Sequence, residues 1–229
     1  MRLNQKALVY PEVPIISLQS LGGFLSALGL IIKVTKNPER LDLIIRLYSL
    51  LYTKEYLSSL EQEMKTSGLK DAAALAACLE IPSDEILSRM PKGSLGFEFY
   101  HFKNQNHLNP ADARMEIESE YSELFLAFSN THDIWHVVTG FDLSQEDEVG
   151  LQAFYLSQHA TPLAAVLISL ALLRSLFFGL SSFVRVFDRA CRGWQMGKDL
   201  RRKLITLNWS RRWHEPIDSL RSELNIVAA

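Results

Sequence analysis

Residues 132–136 read His-Asp-Ile-Trp-His, and after eleven intervening residues comes an acid, Glu148. On an α-helix, positions i and i+4 lie one above the other, so His132 and His136 can turn their imidazoles toward one cation. Asp133 falls about 100° round the helix from His132. From there it could complete the site from the flank or orient an imidazole from behind. Gly140 ends the helix, and a new helix opening after Ser144 would bring Glu148 back in its first turn, opposite the pair. Two imidazoles with one or two carboxylates suit zinc, iron or manganese better than magnesium or calcium, which favour all-oxygen shells. The plainer alternative is a pair of partly buried histidines balanced by neighbouring acids. A zincin-type peptidase is disfavoured, because its HExxH motif uses a glutamate as general base where this chain has the shorter Asp133. The histidines at 101, 107, 159 and 214 lack ligand-like spacing and read as structural or surface groups.

The elements that must position these residues are helical. Asn37-Pro38 is an N-cap followed by proline at the first helical position, with Leu41, Ile44, Ile45, Tyr48 and Tyr52 behind it at helical spacing. Helix continues over 53–65 with Gly68 as its stop, and a short alanine-rich helix covers 71–79. Ser83 opens another that Pro91 ends. Residues 91–94 form a turn and 104–110 a loop. The motif helix is expected from Glu116 to Thr139, with Tyr121, Leu124, Phe125 and Phe128 as its apolar stripe. Ser144 and Asp147 form a capping-box-like start to the next helix. Thr161-Pro162 should cap one long apolar helix reaching Arg189, and 215–225 forms a last short helix. Strand-like alternation appears only over 204–209. The fold class is all-α: one helical bundle domain over residues 1–229, with a long apolar helix in its C-terminal half.

Composition narrows the function classes. The chain has 229 residues, 48% hydrophobic and 22% charged, which excludes intrinsic disorder. A net charge of −2 argues against nucleic-acid binding by bulk charge. Cys78 and Cys191 are the only cysteines, so no disulfide framework exists and a reducing compartment is expected. Charge is unevenly spread. Residues 112–148 hold ten acids against Arg114, a net of −9, and 189–212 hold eight bases against Asp199, a net of +7. These blocks either pair or form two specialised surfaces. Two stretches with almost no charge, 13–32 and 161–184, raise the question of a membrane span. The first contains breakers and serines. The second carries Arg174 near its middle, where a charge costs about 3 kcal/mol on insertion scales. Burial in a bundle, or the lining of a lipid-sized slot, is the cheaper reading. Phe177, Phe178 and Phe183 would then line the slot for a polyprenyl tail, with Arg174 and Arg185 near a headgroup or phosphate. Arg201, Arg202, Lys203, Arg211 and Arg212 could rest on an anionic leaflet.

The motif HDxxH, eleven residues and Glu is similar to the signature of the coenzyme Q (ubiquinone) biosynthesis protein four family. The likeness extends from about residue 15 to 226. It includes Asn37-Pro38 with Arg40 and Asp42, the run Pro91-Lys92-Gly93-Ser94-Leu95-Gly96 before Tyr100, Arg211-Arg212-Trp213, and Leu220 through Ile226. The resemblance implies a helical protein at a membrane surface that supports late steps of quinone synthesis. It further implies a divalent metal on His132, Asp133, His136 and Glu148. Implied partners are a polyprenylated quinone precursor and the other biosynthetic enzymes, with no nucleic acid; a homodimer is compatible with the apolar helix. The absence of a transit-like start at Met1 suggests a bacterial protein or a mature mitochondrial form, cytoplasmic and peripheral to the inner face of a membrane. Two functions follow as expectations. One is a metal-dependent oxidative decarboxylase acting on a polyprenyl hydroxybenzoate. The other is a non-catalytic lipid-binding scaffold, favoured by the lack of any GxSxG, GxGxxG or P-loop motif. A phosphohydrolase of the HD type would need further His and Asp ligands.

Overall fold

In the computed structural model the described residues are 29–33, scattered positions from 43 to 65, 80–108, 122–159 and 161–229, with side chains of the 122–139 helix described from 131 onward. Among the described residues seven α-helices follow from residue 84: α1 (Asp84–Ser88), α2 (Leu95–Gln105), α3 (Ser122–Thr139), α4 (Gln145–His159), α5 (Pro162–Ser175), α6 (Leu180–Asp199) and α7 (Ile217–Leu224). Among the described residues there is no strand; an isolated bridge joins Ser94 to Pro216. The architecture is all-α.

The motif-bearing pair α3–α4 is set by its turn. Gly140 has φ 80°, a left-handed conformation that glycine takes without strain, and it breaks the chain out of α3 as expected. The Ser144 hydroxyl accepts the Asp147 amide at 3.2 Å and caps α4. Only this half of the capping box forms. The Asp147 carboxylate instead takes the Asp142 amide at 3.2 Å and the Arg189 guanidinium at 2.7 Å. Buried Ile134, Trp135 and Val138 of α3 pack with Leu151, Phe154 and Tyr155 of α4 and with Leu204, Ile205, Leu207 and Trp209 in one core. α6 lies close along α4, where a Cβ on Gly193 would run into the Gly150 carbonyl.

Several expectations need correction. The single long apolar helix is two helices: α5 stops at Ser175, a 3-10 turn spans Leu176–Phe178, and Gly179 at φ 99° turns the chain into α6. Residues 204–209 are not a strand. Two 3-10 turns, Leu204–Thr206 and Trp209–Arg211, bury the same apolar side chains that gave the alternation. α2, which the sequence reading passed over, takes in Asn104, so the loop begins later than expected. In the first helical segment the described buried residues are Leu43, Leu47 and Leu51, an i, i+4, i+8 seam against Val166 that the expected stripe did not include; of that stripe Tyr52 is described, half-buried beside the seam. Asn37-Pro38, Leu41, Ile44, Ile45, Tyr48, Gly68, residues 71–79 and 109–121, and the side chains of Leu124, Phe125 and Phe128 lie outside the described residues. No helix of the described residues is long and apolar enough to cross a membrane.

Candidate metal centre

α3 presents His132 and His136 on one face, and the Gly140 turn returns α4 so that Glu148 in its first turn reaches both. The Nε2 atoms of the two histidines are 3.1 Å apart. Glu148 Oε2 lies 3.3 Å from His136 Nε2 and 3.7 Å from His132 Nε2. Metal–ligand bonds of about 2.1 Å at tetrahedral angles put neighbouring ligand atoms about 3.4 Å apart. The three observed separations straddle that value, so this trio could hold a metal ion.

Each of the three groups is also held from behind. His136 Nδ1 donates to the Phe141 carbonyl at 2.9 Å, which leaves the Nε2 lone pair of the neutral ring facing the shared point. His132 Nδ1 is 3.3 Å from the Tyr155 hydroxyl, and the two rings stack. Gln152 Nε2 donates to the other Glu148 oxygen at 2.8 Å. Phe102 of α2 stacks on the His136 ring. Outer partners of this kind fix ligand orientation and tune basicity in metal sites.

The electrostatics fit one positive charge at the shared point. Burial would raise the Glu148 carboxyl, but the His132 and His136 imidazoles and the Gln152 amide overcome it and hold it at about 2. Burial also opposes charge on both histidines. His136 nevertheless rises above its ordinary value, through its contact with Glu148 and the Phe141 carbonyl. His132 falls below its own, with His136 adding to the effect of burial. A proton on His136 or a cation between the three groups answers the same field.

The structure brings together three of the four expected ligands. Asp133 stands outside the trio and acts on both imidazoles through its charge. Sequence reasoning missed Gln152 and Tyr155, four and seven residues beyond Glu148, a helical stripe that spacing alone could have flagged. It also missed Phe102. The expected slot-lining residues lie elsewhere. Phe177 and Phe178 are 83% and 67% exposed, and half-buried Phe183 stacks on Phe187. With exposed Leu173, Leu176, Leu180 and Val184 they form an apolar corner where α5 meets α6. Arg174 donates to Gln145 at 3.0 Å and lies over the Phe178 ring, and Arg185 is 3.7 Å from Glu146. Both arginines therefore touch the first turn of α4, which also carries Glu148.

Residues 12–229 match the family model described as "Coenzyme Q (ubiquinone) biosynthesis protein Coq4". Among curated relatives, the Danio rerio "Ubiquinone biosynthesis protein COQ4 homolog, mitochondrial" is 25% identical over 211 residues, covering 87% of this chain and 74% of that protein. The Uncinocarpus reesii "Ubiquinone biosynthesis protein COQ4, mitochondrial" is 25% identical over 245 residues, covering 98% and 81%. For the Kluyveromyces lactis protein of that name the match is 27% identical and spans 62% of this chain but 43% of the relative. A crystal structure of a Nostoc punctiforme protein superposes with a TM-score of 0.70 at 24% identity, over 86% of this chain and 95% of that one, a likeness of fold.

Proposed function

The chain belongs to the coenzyme Q (ubiquinone) biosynthesis protein Coq4 family, and from that premise we propose that His132, His136 and Glu148 bind a divalent metal beside a polyprenylated aromatic intermediate, whose ring carboxylate is removed with oxidation. The observation that carries this reading is the convergence of three donor atoms, each with its own outer partner. In balanced form, one atom of dioxygen replaces the carboxyl group on the ring and carbon dioxide leaves. The other atom becomes water with two electrons and two protons from an external donor. A bound zinc, iron or manganese would supply Lewis acidity or, for iron and manganese, redox capacity.

The chain's own residues supply the rest. His136 is locked by the Phe141 carbonyl in the tautomer that faces the cation. Glu148, ionised across the ordinary pH range, balances the cation's charge. Asp133 at the flank is the acid available for proton transfer. The exposed corner of Phe177, Phe178 and Phe183 suits the polyprenyl tail or the apolar edge of a bilayer, with Arg174 and Arg185 at the level of a headgroup or phosphate. In this reading the protein works peripherally on the inner face of a membrane, among the other enzymes of quinone synthesis, with a second copy as a further candidate partner. Metal-reconstituted protein given a polyprenyl hydroxybenzoate, dioxygen and a reductant should release carbon dioxide. No release with any of zinc, iron or manganese would sink the catalytic reading.

The second reading is a lipid-binding scaffold, favoured by that same exposed corner. Its mark is that His132→Ala abolishes metal binding and partner assembly together while lipid binding persists. Assembly that survives the substitution would remove its support.

A further inference from the structure

The C-terminus of α3, the helix that carries both histidines, has a complete set of outside partners. Such an end leaves four carbonyls without helical donors. Here the His136 carbonyl takes the Gly140 amide at 2.8 Å. The Val137 and Val138 carbonyls take Nη2 and Nε of a single side chain, Arg221 of α7, at 2.9 and 3.0 Å. The Thr139 carbonyl takes the Ala229 amide at 2.9 Å. Residues 221–229 therefore supply three of the four bonds.

The donors are themselves anchored. Ile226 is buried, and its amide bonds the Arg221 carbonyl at 2.8 Å. Arg192 of α6 donates to the Ala228 carbonyl at 2.6 Å. Ala228 and Ala229 press on Gly140, where an added Cβ would come within 3.0 Å of Ala228. A guanidinium at a helix C-terminus also meets the negative end of the helix dipole. His136 lies in this last turn, and its Nδ1 partner, the Phe141 carbonyl, sits one residue beyond Gly140.

We propose that Arg221, backed by the 226–229 tail, is a positioning residue for the metal centre. It is not one of the three donor residues. By clamping the last turn of α3 it sets where His136 and the Phe141 carbonyl stand relative to Glu148. A planar fork with two N–H groups on adjacent carbonyls is a task for arginine that one lysine ammonium performs less well. The inference rests on the trio binding a cation.

Cobalt(II) titration followed by visible absorption tests it, because both affinity and band shape report the ligand geometry. Wild-type protein comes first: no cobalt bound would refute the metal reading itself. With cobalt bound, Arg221→Met should weaken affinity at least tenfold and alter the band, and Arg221→Lys should recover part of both. Leu87→Ala, which opens a cavity in the core far along the chain, should lower the melting temperature and leave the band unchanged. Should Arg221→Met fail to fold, Arg221→Lys decides. A folded Arg221 variant with wild-type affinity and spectrum would overturn the proposal while leaving the metal reading intact.

Discussion

At the scale of single residues, two imidazole nitrogens 3.1 Å apart with a carboxylate oxygen beside both make a costly arrangement unless one positive charge sits among them. Glu148 is therefore the residue whose charge matters most. Glu148→Gln keeps the shape and removes the charge, so metal affinity should fall by about 100-fold. In the metal-free protein the His136 pKa should drop, since Glu148 is the largest of the influences that raise it above its ordinary value. Isothermal titration and NMR of the imidazole protons read the two effects. Tyr155→Phe removes only the hydroxyl behind His132 and should cost about tenfold in metal affinity, the usual scale for an outer partner. The trio was legible because i, i+4 spacing and a glycine turn are local signals. Asp133 was over-assigned for the same reason, since adjacency in sequence puts its side chain round the helix from the shared face. Tyr155 and Phe102 were harder to see. One acts through a hydroxyl behind the ligand, and the other comes from a helix distant in sequence.

At the scale of elements, α4 and α6 meet through glycine. Gly193→Ala would drive a methyl group into the Gly150 backbone, where no side chain can give way. Overpacking of that kind costs about 1–3 kcal/mol or more. Chemical denaturation should show the loss, and an unchanged midpoint would mean the two helices are not in close contact in solution. The corner between α5 and α6 makes a separate prediction. Replacing Phe177 and Phe178 by serine should lower binding to anionic vesicles several-fold and leave metal content unchanged, because neither ring reaches the trio. The helix break at Gly179 was hard to read in advance: apolar residues on both sides continue the helical pattern, and only a backbone at φ 99° reveals the stop. The 204–209 stretch misled for a related reason. Alternating burial was real, but consecutive 3-10 turns produce it as well as a strand does.

At the scale of the whole molecule, the acidic and basic blocks are partly matched to each other. Arg189 meets Asp147 at 2.7 Å, so some of the charge separation seen along the sequence closes in space, and Arg185, four residues before the basic block, lies 3.7 Å from Glu146. Acid should weaken the fold through a group far from these pairs. Burial drives the His159 imidazole down to about 3 from 6.5, so the folded protein keeps it neutral while the unfolded chain takes up a proton. Between those two values the unfolded state binds more protons, and stability rises with pH. The contribution is therefore complete above about pH 6.5 and is lost progressively as pH falls below it. Urea denaturation of the wild type at pH 5 and pH 7 should show this slope, and His159→Leu should flatten it. The measurement that bears most directly on the proposed metal centre is the metal content of the purified, reconstituted chain by mass spectrometry. One zinc, iron or manganese ion per chain, lost in the double variant His136→Ala, Glu148→Gln, is the expected result. A wild-type chain that binds none of these ions at micromolar concentration, while folded, would contradict it.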